Sequence, residues 1–221
     1  MNPNKALWEK GDFTEIAAFM RQSGEAVVKS IGITTPLRVL DLGCGDGTTA
    51  LPLALLGAEV VGIDIAKNLV DAGNRRAAEA GLNRLKFQEG DACNLQGVSD
   101  HSFDLTLSVF GAMFAPKPFD VAKEMVRVTK PGGRIVMGNW IPNDPTFVSQ
   151  VLKISSSFMP PPPEGFVSPM TWGVDRRASQ NSEERNKSAQ APRGEKASTS
   201  IRRRCFSRCD QRPQQTPGDS H

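Results

Sequence analysis

Histidine is nearly absent from this chain of 221 residues: His101 lies in the polar stretch Ser99-Asp-His-Ser102, and His221 is the last residue. His101 reads as a solvent-exposed turn ahead of a strand, so a reaction that depends on an imidazole base finds no support here. Cysteine is also scarce. Cys44, Cys93, Cys205 and Cys209 make no disulfide framework, and with no signal peptide legible they fit a reducing cytoplasm, the expected location. Cys205-Phe-Ser-Arg-Cys209 lacks a second pair or neighbouring histidines, so no metal site is expected. No apolar run approaches the roughly 18 to 20 residues that cross a bilayer, and no internal repeat is present.

Charge is distributed in two parts. The formal net charge of +3 suggests a basic surface, but eleven Lys or Arg against six Asp or Glu fall in residues 175–221. The remaining sixteen bases and eighteen acids give residues 1–174 a net charge of −2, so no specific nucleic-acid partner is expected. The same tail holds Ile201 and Phe206 as its only large apolar side chains. Such a segment buries too little apolar surface to offset chain entropy and is expected to be disordered.

The informative stretch is Val39-Leu-Asp-Leu-Gly-Cys-Gly-Asp-Gly-Thr48, a buried strand that runs into a glycine turn at a helix start. Gly43, Gly45 and Gly47 allow close backbone approach to a ligand, and Cys44 is a small side chain that fits within the turn. Asp41, two residues before the first glycine, would repel a pyrophosphate but suits a ligand carrying an ammonium and a sulfonium. S-adenosylmethionine is such a ligand, with S-adenosylhomocysteine as product. A dinucleotide turn would read Gly-x-Gly-x-x-Gly, and Thr48 stands where its third glycine belongs. A purely structural glycine turn is the other reading.

Further acids follow at strand ends. Glu59-Val-Val-Gly-Ile-Asp-Ile65 is a short β-branched run in which Asp64, with Ile65 beside it, lies 21 positions after Gly43. That is where a ribose diol is held, unless the acid only closes a turn. Asp91 and Ala92 follow Gly90 after a third strand; Asp91 either accepts from an adenine amino group or stabilises its own turn. A fourth strand, Phe103 to Phe110, contains Ser108. A helix through Val121 to Val128 leads to the turn Lys130-Pro-Gly-Gly-Arg134 and a fifth strand, Ile135 to Trp140. Strands alternating with helices predict a mostly parallel α/β sheet whose ligands bind at the carboxyl ends. Asp41, Asp64, Asp91 and Ser108 all fall at or near those ends.

With these residues the chain resembles the class I S-adenosylmethionine-dependent methyltransferases of the ubiquinone and menaquinone biosynthesis type. Asp41 to Gly47 resembles the family's first motif, Asp64 its ribose-binding acid, Gly90-Asp-Ala92 its adenine contact, and Arg127-Val-Thr-Lys-Pro-Gly-Gly133 the turn before its fifth strand. Trp8-Glu-Lys-Gly-Asp-Phe13 resembles the amino-terminal segment that closes over the cofactor. Trp140-Ile-Pro, Pro160 to Pro163 and Ser168-Pro-Met-Thr-Trp-Gly173 resemble a substrate-side insertion. The resemblance implies a three-layer Rossmann-like fold with sheet order 3-2-1-4-5-7-6, of which about five of the seven strands are encoded here. It ends after about residue 174, where a frameshift or alternative reading frame is expected to have replaced the family's carboxyl end.

The expected organisation is a helical lid segment at 1–36, a cofactor core at 37–140, a proline-rich substrate-side segment at 141–174 and the basic tail at 175–221. Phe13, Ile16, Ala17 and Met20 recur at helical spacing and read as core packing. Trp8, Phe13 and Trp140 are substrate-side candidates, and Pro160 to Pro163 is expected to be an extended spacer. The resemblance implies methyl transfer to a small-molecule acceptor without a general base. A truncated cofactor-binding remnant and a noncatalytic partner protein on the same fold are the alternatives.

Overall fold

The structure is a computed structural model that describes residues 4–33, 36–142, 145–158, 161 and 167–173. Five strands form one sheet: β1 (Arg38–Leu42), β2 (Glu59–Asp64), β3 (Leu85–Glu89), β4 (Phe103–Val109) and β5 (Thr129–Gly138). Their order is β3-β2-β1-β4-β5 and every pair is parallel, as the alternating pattern predicts. In register, Asp41 lies opposite Gly62 on one side and Leu107 on the other, which places the first glycine turn in the middle of the carboxyl rim.

Among the described residues, six α-helices accompany the sheet: α1 (Lys5–Trp8), α2 (Phe13–Ile31), α3 (Ala50–Leu55), α4 (Lys67–Glu79), α5 (Pro118–Val128) and α6 (Phe147–Ser157). The period-2 alternation of the strands divides their apolar side chains between two cores. Val39, Val60, Phe87, Leu105 and Leu107 pack with Val28 of α2, Leu53 of α3 and Val70 and Ala77 of α4. Leu40, Leu42, Ile63 and Phe103 pack with Val121, Met125 and Val128 of α5 on the other face.

Helix α2 starts where the side chain of Asp12 accepts a hydrogen bond from the Thr14 amide, and stops at Gly32, whose φ of +66° ends the helix in the left-handed region. Its inward stripe is Ala17, Gly24 and Val28, flanked by half-buried Phe13 and Met20. Ile16, expected in that stripe, is 54% exposed, because the helix turns Ala17 inward and leaves Ile16 at the stripe's edge. Gly24 is the contact point: a Cβ there would collide with the carbonyl of Thr48 in the glycine turn.

Two other differences from the sequence reading have local causes. Strand β5 begins at Thr129 rather than Ile135, because the Lys130–Gly133 turn is an irregularity inside the strand. Pairing passes from Phe103↔Thr129 to Leu105↔Arg134 across it and ends at Gly138. Residues 141–174, expected as a proline-rich substrate-side segment with no helix assigned, include helix α6, whose first turn is capped by the Thr146 hydroxyl accepting from the Ser149 amide. Pro161 is described, whereas Pro160, Pro162, Pro163 and the tail from 174 onward lie outside the described residues. Among the described residues no helix is long and apolar enough to cross a membrane.

Phe87 is the packing centre behind the glycine turn. Its buried ring fills a space bounded by Gly47, Gly62 and Gly73, and a Cβ on any of the three would meet the ring at 2.6 to 2.8 Å. Alanine normally stabilises a helix interior over glycine by about 1 kcal/mol. At Gly73, inside α4, the sign should reverse. Overpacking against Phe87 predicts that Gly73→Ala destabilises the protein by about 1–3 kcal/mol, read as a lowered midpoint in urea unfolding. An unchanged or raised midpoint would show that the ring has room to move.

Candidate cofactor-binding site

The turn after β1 is held from beneath by its own amides. Gly43 and Cys44 both donate to the Ile63 carbonyl, at 2.7 and 3.3 Å, and Gly47 donates to the Cys44 carbonyl at 3.0 Å. The Gly45 amide donates to Asp64 Oδ2 at 2.8 Å, while Asp64 Oδ1 accepts from the Ala66 amide at 2.9 Å. The amides of Gly43, Cys44, Gly45 and Gly47 are therefore spent inside the protein and do not form an anion nest.

The three glycines have different duties. Gly43 has φ +70°, and a Cβ on it would press into the backbone of Gly111 at 2.6 Å, so β1 and β4 meet through two bare backbones. Gly47 makes room for Phe87. Gly45, at φ +55°, is the one whose added Cβ would meet nothing within 4 Å. The open side of the turn is over Gly45.

Asp41 faces the start of α3 and is 1% exposed. Its Oδ2 accepts from the Thr49 hydroxyl at 2.5 Å, and its Oδ1 is buried without a hydrogen-bond partner among the described residues. Burial pushes its carboxyl up to about 7, opposed by the Thr49 hydrogen bond and reinforced by the Asp64 carboxylate. Burial raises Asp64 as well, against the amides of Ala66, Gly45 and Ile65. Burial also raises the Cys44 thiol, with Asp64 and Asp41 adding to the shift, so it is a packing group and not a thiolate.

The other expected residues sit on the same rim with different engagements. Asp91 Oδ1 accepts from the Cys93 amide at 2.9 Å, which is the turn-stabilising bond weighed against an adenine contact. Ala92 and Ile65 are half-buried beside it and beside Asp64. Ser108 is buried, donating to the Leu42 carbonyl at 2.6 Å and accepting from the Ala112 amide at 2.8 Å, so its hydroxyl ties β4 to β1. His101 is exposed at the opposite end, before β4.

Helix α1 lies across the rim as a strap. Lys5 pairs with Glu89 at the end of β3, Glu9 accepts from the Lys67 amide at the start of α4, and Asn4 donates to the Phe114 carbonyl beyond β4. The Trp8 ring contacts Phe13 and Phe114, with centroids 5.9 and 5.3 Å away. Across the rim, Trp140 stacks on Phe110 at 4.5 Å and 27°. Phe110 has φ +52°, a strained backbone for a bulky residue. The 3₁₀ turn Pro169–Gly173 packs near the turn Ala112–Phe114, and a Cβ on Gly173 would strike the Trp140 carbonyl.

The residues that sequence reasoning missed are Phe110, Phe114, Asn139 and Asp46. Asn139 Oδ1 is buried without a partner among the described residues, at the end of β5. Only the place of Phe110 and Asn139 at strand ends hinted at them; the strained φ and the missing partner have no sequence signature.

A cofactor with an ammonium fits these residues: a buried carboxylate oxygen without a partner faces no counter-charge, and open space lies over the one glycine whose Cβ would be free. A diphosphate does not fit, because the nearby carboxylates repel it and the turn amides are used. The profile of a methyltransferase domain family matches residues 40–137. This match supports a relation between residues 40–137 and the methyltransferase domains. Two uncharacterised proteins of Mycobacterium tuberculosis are similar to it. One is 38% identical over 62% of this chain and 50% of its own length, and the other 34% identical over 78% and 62%. A demethylmenaquinone methyltransferase of Paenarthrobacter aurescens is 37% identical over 52% of this chain and 43% of its own length. The chain thus spans between two fifths and two thirds of these curated relatives. Among solved structures, the YcgJ protein of Bacillus subtilis superposes with a TM-score of 0.50 at 30% identity, covering 56% of this chain and 53% of that one. A methyltransferase from Aquifex aeolicus reaches 0.54 at 21% identity, over 72% and 82%, and shows the shared fold.

In this domain the buried acids set a pH dependence. Asp41 keeps a proton in the folded state between its ordinary value of 3.8 and about 7, so the folded state binds more protons there than the unfolded state. Stability from this group is full below 3.8 and is lost as pH rises through about 7. Thermal melts of the ligand-free protein should therefore fall between about pH 5 and pH 8, and Asp41→Asn should flatten that fall. A wild-type curve that rises over the interval, or an Asn variant that falls as steeply, would contradict the assignment.

Proposed function

We propose that this protein transfers the methyl group of S-adenosylmethionine to a small-molecule acceptor. The observation that carries the reading is the buried Asp41 oxygen without a hydrogen-bond partner among the described residues, two residues before a glycine turn with open space at Gly45. Asp41 receives the methionine ammonium, Gly45 admits the methionyl chain, Asp64 takes the ribose hydroxyls beside its amide donors, and Asp91 and Ala92 lie toward the adenine. Ile65, Cys44, Gly43, Gly47 and Ser108 shape that pocket. When bound, the cofactor supplies a methyl carbon activated by a sulfonium leaving group.

The chain's own residues align and shield. Methyl transfer from a sulfonium needs no strong base, so holding the acceptor atom near attack distance accounts for most of the acceleration asked of the protein. The strap carrying Trp8, with Phe13 behind it, closes the side over β2 and β3 and excludes water from the cofactor. Trp140, stacked on Phe110, and the turn at Pro169–Gly173 bound the side over β4 and β5, where an acceptor enters. The demethylmenaquinone methyltransferase among the relatives supports a small organic acceptor rather than a macromolecule. The mild negative charge of residues 1–174 supports the same choice, and the free thiols of Cys44 and Cys93 support a cytoplasmic setting.

Calorimetric titration with S-adenosylhomocysteine tests the cofactor assignment. The wild type should bind. Asp64→Ala removes a charged acceptor and should weaken binding about 10- to 100-fold. Gly45→Val should weaken it at least as much by filling the open face, whereas Gly81→Val, at φ +65° with equally open space after α4, should leave affinity unchanged. Heat from the wild type with no loss in either site variant would mean the cofactor binds elsewhere. Transfer of labelled methyl groups to candidate acceptors then reads the activity itself.

A further inference from the structure

Asp46 lies within the glycine turn, between Gly45 and Gly47, and none of the roles above uses it. It is 1% exposed. Its Oδ2 lies 3.1 Å from Arg76 Nη1 and 3.4 Å from Arg21 Nη2, and Arg76 Nη1 also donates to the Asp46 backbone carbonyl at 2.7 Å. Asp46 Oδ1 and Arg21 Nε are buried and without hydrogen-bond partners among the described residues. The flanking residues, Gly45 and Gly47, both have positive φ, at +55° and +95°.

Two left-handed glycines around one residue leave a turn with little intrinsic preference for a single shape. Something must select the shape. Arg21 belongs to α2, the helix that follows the strap, and Arg76 belongs to α4, the helix that follows Asp64, so one buried carboxylate joins the turn to both. Burying this ion cluster is costly compared with filling the space with apolar or small polar side chains, and its partnerless atoms make it a poor device for stability alone. Its placement suits specifying the backbone at Gly45 better.

We propose that Asp46 is a positioning residue for the amino-acid half of the cofactor: bracketed by Arg21 and Arg76, it fixes the backbone of Gly45 over which the methionyl chain lies. The inference rests on the cofactor reading above and adds a division of labour. The nucleoside half depends on Asp64, whose Oδ1 is held by the Ala66 amide outside the turn, while its Oδ2 accepts from the Gly45 amide. The methionyl half depends on the bracket.

Two probes separate these halves: S-adenosylhomocysteine, and 5′-methylthioadenosine, which keeps the nucleoside and thioether but lacks the amino-acid group. In Asp46→Asn, affinity for S-adenosylhomocysteine should fall at least about tenfold, equivalent to about 1.4 kcal/mol, while affinity for methylthioadenosine changes by less than about threefold. Arg21→Met, whose side chain is 43% exposed, should show the same split at smaller size and serves if the Asn variant does not fold. Equal losses for both probes, or no loss for either, would overturn the positioning role. Failure of the wild type to bind either probe would overturn the cofactor reading instead.

Discussion

A carboxylate sealed from water without a counter-charge is the constraint around which this domain is arranged. Asp41 has one oxygen bonded to the Thr49 hydroxyl and the other without a hydrogen-bond partner among the described residues; the Ala50 amide eases its charge and Asp64 adds to its discomfort. Such a group is a net cost to a ligand-free fold, and a cation that enters the site converts that cost into affinity. The parallel sheet makes the arrangement possible. Its central strand delivers Asp41 to the middle of the carboxyl rim, where neighbouring strands on both sides keep water away while the turn above Gly45 stays open.

The glycine turn divides its work by position. Gly43 lets β1 and β4 approach through Gly111, Gly47 clears space for Phe87, and Gly45 alone faces outward. A substitution at the first or third position would therefore act through packing, and one at the second through the ligand. Phe87 connects the two effects, since its ring bears on Gly47 from below and on Gly62 and Gly73 beside it. The integrity of the site is thus coupled to the core on the α2–α4 face of the sheet.

Much of this was legible in the sequence. The β-branched runs ending in Asp41 and Asp64, and their alternation with helical segments, foretold a parallel sheet and placed the acids on one rim, whereas the strand order followed only from the family resemblance. The Trp8 segment was recognisable and does lie across that rim. Less legible were features created by tertiary contact. The inward stripe of α2 excludes Ile16 because Gly24 must meet Thr48, a contact that helical periodicity cannot reveal. The left-handed Phe110, the partnerless Asn139 and the Arg21–Asp46–Arg76 bracket depend on elements far apart in the chain. Ser108 and Asp91 were singled out by position, and the structure gives both of them bonds within the fold that position alone did not disclose.

The chemistry that the turn after β1 accepts distinguishes a methyl donor from a dinucleotide. A crystal structure grown with both S-adenosylhomocysteine and a nicotinamide dinucleotide present would test it most directly. The account predicts the thioether nucleoside over Gly45, with its ammonium within hydrogen-bond distance of Asp41 Oδ1 and its ribose on Asp64. Diphosphate density cradled at that turn, with no thioether nucleoside bound, would contradict it.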